Sequence, residues 1–367
     1  MSLRRVAAVS VLIVLGVAGA ALGAVNILSP VATTTVPTTV ASSSTTTTVV
    51  ANVTLSAVGD TELGNTPQLP ANPVAYLAPI KSALAAPIVF GNLEGTMTSA
   101  PESKCAPTST ECYAFRVPTS YAAVYRTAGF NVLNSANNHS HDFGSAGALE
   151  TTAALRSQGI TQAGLPGEIG VVREGSSKIA FVDFAPYYNT NNLLNLPVAA
   201  QLIAQAKRMA SLVIVYMHAG AEGMSADHVT RQSETFFGED RGNPYVFAHA
   251  AIVDGADLVI ASGPHVLRGM EWFRGHLIAY SLGDFANYYD FATVGTLKLS
   301  AILHVTLGAT GRFVDARFTS VVLSASGQPS VDPTRASANF VNQLSVADFG
   351  ANAALIRADG TLTPPRA

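Results

Sequence analysis

Asn131-Val-Leu-Asn-Ser-Ala-Asn137-Asn138-His139-Ser-His141-Asp142-Phe-Gly144 is a short apolar run that ends in a knot of amides, imidazoles and a carboxylate. Other apolar runs in the chain end in the same way, at Gly59-Asp60, Gly91-Asn92-Leu-Glu94, Asp183, His218-Ala-Gly-Ala-Glu222, Gly263-Pro264-His265 and Gly283-Asp284. Strands whose carboxyl ends all deliver Asp, Glu, Asn or His to one edge of a sheet are how a layered α/β protein builds a site.

The rest of the body fits that pattern. Val53 to Val58, Ile88 to Gly91, Asn131 to Ser135, Ile179 to Phe184, Leu212 to Met217, Leu258 to Ala261 and Leu277 to Ser281 read as short strands bounded by Gly, Pro or Asn. Helical patterns lie between them at Pro73 to Ala85, Ser120 to Ala128, Ser145 to Ser157, Leu196 to Ala210 and Pro244 to Asp254. Thr296 to Leu307 and Arg312 to Leu323 alternate across Gly308 to Gly311 and predict an antiparallel hairpin. The fold class is therefore α/β, in layers.

Composition bounds the function. The 367 residues are 48% hydrophobic and 12% charged with a formal net charge of −3. Basic clusters are confined to the extreme N-terminus, which argues against a nucleic-acid partner. There, Arg4-Arg5 precede an apolar stretch from Val6 to Val25 broken only by Ser10. That length suits a single membrane-spanning helix with the body outside, whereas the small residues at Ala18-Gly-Ala20 and Ala21-Leu-Gly-Ala24 suit a cleaved signal peptide and a secreted product. Residues 1–28 are assigned to one or the other. Residues 29–51, almost wholly Ser, Thr, Pro, Val and Ala, read as a linker, either bare or O-glycosylated. The chain has two cysteines, Cys105 and Cys112, in a Pro/Ser/Thr-rich insertion; outside the cell a disulfide is expected, with a thiol or metal pair as the alternative.

The chemistry-bearing residues follow from the strand ends. Asp60 and Glu62 offer carboxylates to a divalent cation, the bland alternative being a turn. Glu94 needs a cation or donors if it is buried, with Asn92 to orient it. Asn137, Asn138, His139, His141 and Asp142 concentrate imidazole, amide and carboxylate, with Asp142 placed to fix a histidine tautomer. His218 is followed by Glu222 as a partner, and the Gly263-Pro264 turn aims His265 inward. His228, His249, His276 and His304 lack such context and read as structural.

In order along the chain, Val58-Gly-Asp-Thr-Glu-Leu-Gly64, Gly91-Asn-Leu-Glu-Gly95, Ser135-Ala-Asn-Asn-His139, His218-Ala-Gly-Ala-Glu222, Gly263-Pro-His-Val266 and Tyr280-Ser-Leu-Gly-Asp-Phe285 resemble the bacterial capsule-synthesis or poly-gamma-glutamate-synthesis CapA-like proteins, of the calcineurin-like metallophosphatase superfamily. The resemblance implies a four-layer α/β/β/α sandwich over residues 52–325, followed by a segment, 326–367, that the pattern Phe340, Val341, Leu344, Val346, Phe349 divides into a docked helix and a tail. It further implies a metal site of Asp60, Glu94, Asn138, His218 and His265, to which the neighbouring carboxylate of Glu62 is added from its place beside Asp60, with His139 as an acid toward a leaving group and Asp142 behind it. Asn92, Asn137, Glu222 and Asp284 fall to the surroundings or to substrate.

The sequence departs from the superfamily in places. Asp60-Thr-Glu62 stands where the superfamily has Asp-x-His, Ser262 and Gly263 stand where a further histidine is usual, and Asp284 stands where family members often carry Asn. The oxygen-rich set favours Mn or Mg over Zn, as one ion or two. Two function classes remain: an exported metal-dependent hydrolase acting on a phosphoester or an anionic surface polymer, and an accessory factor that binds such a polymer or its synthase and export complex without turnover.

Overall fold

The computed structural model describes residues 52–364. Residues 1–28 and the whole linker, 29–51, lie outside that range, and so does the choice between anchor and signal peptide. Among the described residues no helix is long and apolar enough to cross a membrane.

Two sheets face each other. In the first, the order is Pro329–Val331, Phe313–Leu323, Leu299–Leu307, Val53–Glu62, Ile88–Leu93, Val132–Asn134 and Thr161–Ala163, with Asp284–Asn287 pairing alongside the end of Val53–Glu62. In the second it is Met270–Phe273, His276–Ala279, Leu258–Ser262, Leu212–His218, Ser177–Phe184 and Gly170–Glu174. The central pairs of both sheets are parallel, so their carboxyl ends share one edge.

Strands buried on both faces explain the continuous apolar runs. One face of each sheet meets the other sheet: Leu55, Phe90 and Val132 pack against Phe181, Ile214 and Leu258. Phe90 stacks on Phe181 with centroids 5.4 Å apart and planes at 5°. The outer face of the first sheet, at Val89 and Leu133, is covered by Tyr125 and Leu155 from helices Tyr121–Ala128 and Gly144–Ser157. The outer face of the second, at Val182 and Val215, is covered by Ile203 and Phe247 from helices Leu196–Met209 and Pro244–Asp254. The result is an α/β/β/α sandwich. Helices here start where local chemistry says they should: Asn243 accepts from Val246 N and Pro244 occupies the first turn, while Gly255 closes the far end at φ 115°.

Several boundaries differ from the pattern in the sequence. The helix expected over Pro73 to Ala85 divides into α-helix Pro73–Leu77, a 3₁₀ turn Ala78–Ile80 and a last turn Lys81–Leu84. Pro79, which lacks an N–H, sits at that break. The first strand continues past Val58 to Glu62, because Asp284–Asn287 arrives to pair with its last residues. Only glycine fits the approach: a Cβ on Gly59 would lie 1.8 Å from Gly283 O. Thr296 to Lys298 lie in a 3₁₀ turn rather than in the hairpin, whose first strand is Leu299–Leu307.

Helix Ala336–Phe349 packs against Met270–Phe273 and Phe313–Leu323. Beyond it, Ala354, Ile356 and Leu362 are buried in the core between the sheets, so part of the segment expected as a tail is docked. Cys105 and Cys112 are joined as a disulfide with Cα atoms 5.5 Å apart.

Candidate metal centre

Register across neighbouring strands assembles the site. Asp60 stands opposite Asn92, Asn92 opposite Asn134, and Asp60 opposite Asp284 on its other side. In the facing sheet His218 stands opposite Ser262.

Asn92 is the hub. Its Nδ2 donates to Asp60 Oδ1 and to Glu94 Oε2, each at 2.7 Å, and lies 3.3 Å from His218 Nδ1. The amide cannot turn over, because its Oδ1 accepts from Asn134 Nδ2 at 2.6 Å and from Asn137 Nδ2 at 2.9 Å. Asp60 also accepts from Ser262 Oγ and, at 3.1 Å, from Gly263 N. Tyr216 OH donates in turn to Ser262 Oγ, so a chain of hydroxyls ends on Asp60.

Two groups of ligand atoms converge within 4.8 Å: Asp60, Glu94 and His218, and Asp60, His265 and Asp284. Asp60 belongs to both. His265 is held in the left-handed region at φ 57° by the turn before it, its Nδ1 2.7 Å from Asp284 Oδ1 and 3.4 Å from Asp60 Oδ2, its ring stacked on Phe291 at 4.4 Å. All five residues are buried.

The protonation states reflect that burial. Burial acts to raise the Asp60 carboxyl, but the His265 hydrogen bond and the charges of His218 and His265 override it and hold Asp60 below the usual carboxylate range. Glu94 goes the other way: burial, with the Asp60 charge beside it, pushes it well above. Burial drives His218 well below the ordinary imidazole value, whereas for His265 the Asp284 carboxylate overcomes burial and raises it well above.

These residues fit a divalent cation. Glu94 Oε1 is buried with no hydrogen-bond partner among the described residues and lies 3.6 Å from His218 Nε2. A buried carboxylate oxygen left without a donor calls for a positive ion. Oxygen donors with one imidazole in each group match Mn or Mg as well as Zn. Asn138 places a second unpartnered oxygen, its buried Oδ1, in the same region, beside the cavity.

That cavity, of about 390 Å³, is walled by Asn138, His139, Glu222, Arg241, His265 and Asp290, with Phe115, Phe236 and Phe291. His139 Nδ1 lies 2.8 Å from Asp142 Oδ2. Phe115 N donates to that same oxygen at 2.6 Å and Lys104 Nζ is 2.6 Å from the other, so Asp142 is an acceptor. The proton on His139 is thereby assigned to Nδ1, which leaves Nε2 as the exchangeable atom. Burial lowers the His139 pKa.

Glu62 stands apart from both convergent groups. It is buried opposite Asn287, its Oε2 has no partner, and burial together with the Asp290 charge pushes its carboxyl well above the usual range. Asp183 is likewise buried, with both oxygens unpartnered, outside the centre. Glu222 reaches His265 Nε2 at 3.7 Å and pairs with Arg241. Asn137 supports the hub and fixes His139 N at 2.9 Å. The His141 ring hydrogen-bonds to Ser140 Oγ, and His228, His249 and His276 bond to Asp348, Glu271 and the Asp257 carbonyl, away from the centre.

Sequence reasoning missed Arg241, Asn134 and Tyr216, and it counted Ser262 only as a lost imidazole. Arg241 follows no apolar run, so only its position in space reveals it. Tyr216 lies two residues before His218 and so on the same face of its strand, a period-two signal that could have found it, whereas Asn134 reaches Asn92 only through strand register.

Among known proteins, PGA biosynthesis protein CapA of Bacillus subtilis (strain 168) is 28% identical over 285 residues, which cover 71% of this chain and 70% of that protein. Capsule biosynthesis protein CapA of Bacillus anthracis is 26% identical over 180 residues, 44% of this chain and 41% of its own. A putative 5'-nucleotidase from Staphylococcus aureus, solved in complex with alpha-ketoglutarate, superposes with a TM-score of 0.41 at 12% identity, over 77% of this chain and 53% of that one. Purple acid phosphatase from yellow lupin (Lupinus luteus) seeds gives 0.37 at 10%, over 77% and 53%. This chain thus spans just over half of each solved structure. The family model described as "Bacterial capsule synthesis protein PGA_cap" matches residues 54–289, and the chain belongs to that family.

Proposed function

We propose that this protein is an exported, divalent-metal-dependent hydrolase acting in the biosynthesis of a capsule, poly-gamma-glutamate or another anionic cell-surface polymer, held at the membrane by residues 1–28 or released from it. The observation that carries the reading is the convergence of Asp60, Glu94 and His218, and again of Asp60, His265 and Asp284, at one sheet edge beside an open cavity.

Asp60, Glu94 and His218, and Asp60, His265 and Asp284, are the groups that would hold metal, with Asn138 beside them, and Glu62 lies outside this set. When bound, the metal supplies a Lewis acid and an activated water. Asn92 fixes the directions of the two carboxylates before any ion arrives. His139, with its tautomer set by Asp142, moves a proton through Nε2 at the leaving group.

The test is turnover of a generic phosphodiester and of a gamma-glutamyl amide by the Mn-loaded full chain and by His139→Ala. The expected result is a loss of about 10²–10⁴-fold in His139→Ala with metal content retained. Metal bound without His139-dependent turnover of either substrate would overturn the hydrolase. One observation favours that second reading, a polymer-binding accessory protein: Asn92, Ser262 and Gly263 N already occupy three of the roughly four acceptor sites on Asp60, which leaves little to bridge two ions.

A further inference from the structure

Arg241 is the side chain at this site that the proposed chemistry leaves unused. Its residue is 1% exposed, yet a guanidinium carries five N–H donors and this one has two polar neighbours. Nη1 donates to Glu222 Oε1 at 2.6 Å, and Nη2 lies 3.5 Å from His218 Nε2. Nε has no hydrogen-bond partner among the described residues. A buried, charged donor left unpaired is destabilising, so its persistence in a cavity wall points to an acceptor that arrives from outside the chain.

The fold holds this side chain in place from behind. Arg241 N donates to Glu234 O at 2.8 Å, and Glu234 N donates to Gly242 O at 2.7 Å. The Glu234 carboxylate is gripped by Arg268 Nη2 at 2.7 Å and Nη1 at 3.2 Å, and by Ala221 N at 2.8 Å. Buried, bidentate pairing of this kind fixes a loop more firmly than a surface ion pair does. Lys104, the other cation in the wall, is already taken by Asp142 at 2.6 Å and the Asn138 carbonyl at 3.0 Å.

We propose that Arg241 binds an oxyanion of the substrate, a phosphate or a carboxylate, and so seats the anionic group next to His218 and the metal-holding residues. This rests on reading the cavity as the substrate site. Glu222 competes for the same guanidinium and weakens the subsite when no substrate is present. A planar fork suits either oxyanion, and lysine at this position would keep the charge while losing the fork.

Isothermal titration of the full chain with orthophosphate and with gamma-glutamylglutamate, metal-free and Mn-loaded, tests the subsite. Arg241→Gln is expected to weaken the better-bound anion tenfold or more, with Arg241→Lys between it and the parent. Glu222→Gln is expected to tighten the same anion several-fold, a gain that misfolding cannot imitate. Which anion binds more tightly identifies the source of the oxyanion. A parent that binds neither, or Arg241→Gln and Glu222→Gln both within twofold of the parent, would overturn the proposal. Metal content measured on the same samples separates the two claims: a parent without metal whose anion affinity still depends on Arg241 keeps this subsite and loses the hydrolase.

Discussion

Replacing Asn92 by alanine removes the piece that organises the centre. Asn92 is fully buried and donates to two carboxylates at 2.7 Å. The bond to the charged Asp60 contributes about 1.5–3 kcal/mol and that to Glu94, whose carboxyl burial keeps protonated, about 0.5–1.5 kcal/mol, so their loss alone comes to about 2–4.5 kcal/mol. The amides on its other side add little, because Asn134 Nδ2 keeps the Ala136 carbonyl at 3.0 Å and Asn137 Nδ2 keeps that of Leu93 at 2.8 Å. The full effect belongs to the large-loss tail of single substitutions, through the mechanism of a broken buried network. Asn92 also aims Asp60, Glu94 and His218 at one another, and loss of such an orienting partner weakens metal affinity by about 10–100-fold. Urea unfolding in EDTA and across a Mn²⁺ series reads both effects, since ion binding to the native state adds about 2.7 kcal/mol at a hundred times its dissociation constant. A loss below about 1 kcal/mol in EDTA, with an unchanged Mn²⁺ response, would refute the role given to Asn92.

The charged groups give predictions of known sign. Burial raises the folded-state pKa of Glu94 above its unfolded value of 4.5, so stability falls as pH rises past 4.5. In EDTA, Glu94→Gln should therefore melt higher than the parent at pH 8 and alike at pH 4, while losing Mn²⁺ affinity. Asp290 behaves similarly: burial lifts it from 3.8 to about 7, so the folded state keeps a proton that the unfolded chain releases, and stability declines between those values. Because the group is partly solvated, Asp290→Asn should recover about 1–2 kcal/mol at pH 8 and nothing at pH 3.5, read from thermal melts at both.

Much of this was legible before any coordinates. Apolar runs such as Leu212–His218 could only be strands buried on both faces, and residues that end such runs in parallel sheets must share an edge. The Gly263-Pro264 turn suggested an inward His265, and the ring is buried against Asp284. What sequence could not carry is register. Asp60, Asn92 and Asn134 are neighbours because three strands align at those residues, and a one-residue slip would send each to the opposite face. The same reasoning explains Glu62, two residues past Asp60. A register shift between Asp60 and Thr61, where Asp284–Asn287 joins, accompanies its separation from the centre. Arg241 lay hidden for another reason: the Arg268–Glu234 pair that positions it joins residues far apart in sequence.

The most direct test is metal content. After dialysis against Mn²⁺, Mg²⁺ and Zn²⁺ in turn, elemental analysis of the full chain should find at least about one equivalent of Mn²⁺ or Mg²⁺ in the parent and its loss in His218→Ala, with the variant otherwise folded. A folded parent that retains none of the three ions would contradict the assignment of Asp60, Glu94 and His218 as the core of a metal centre.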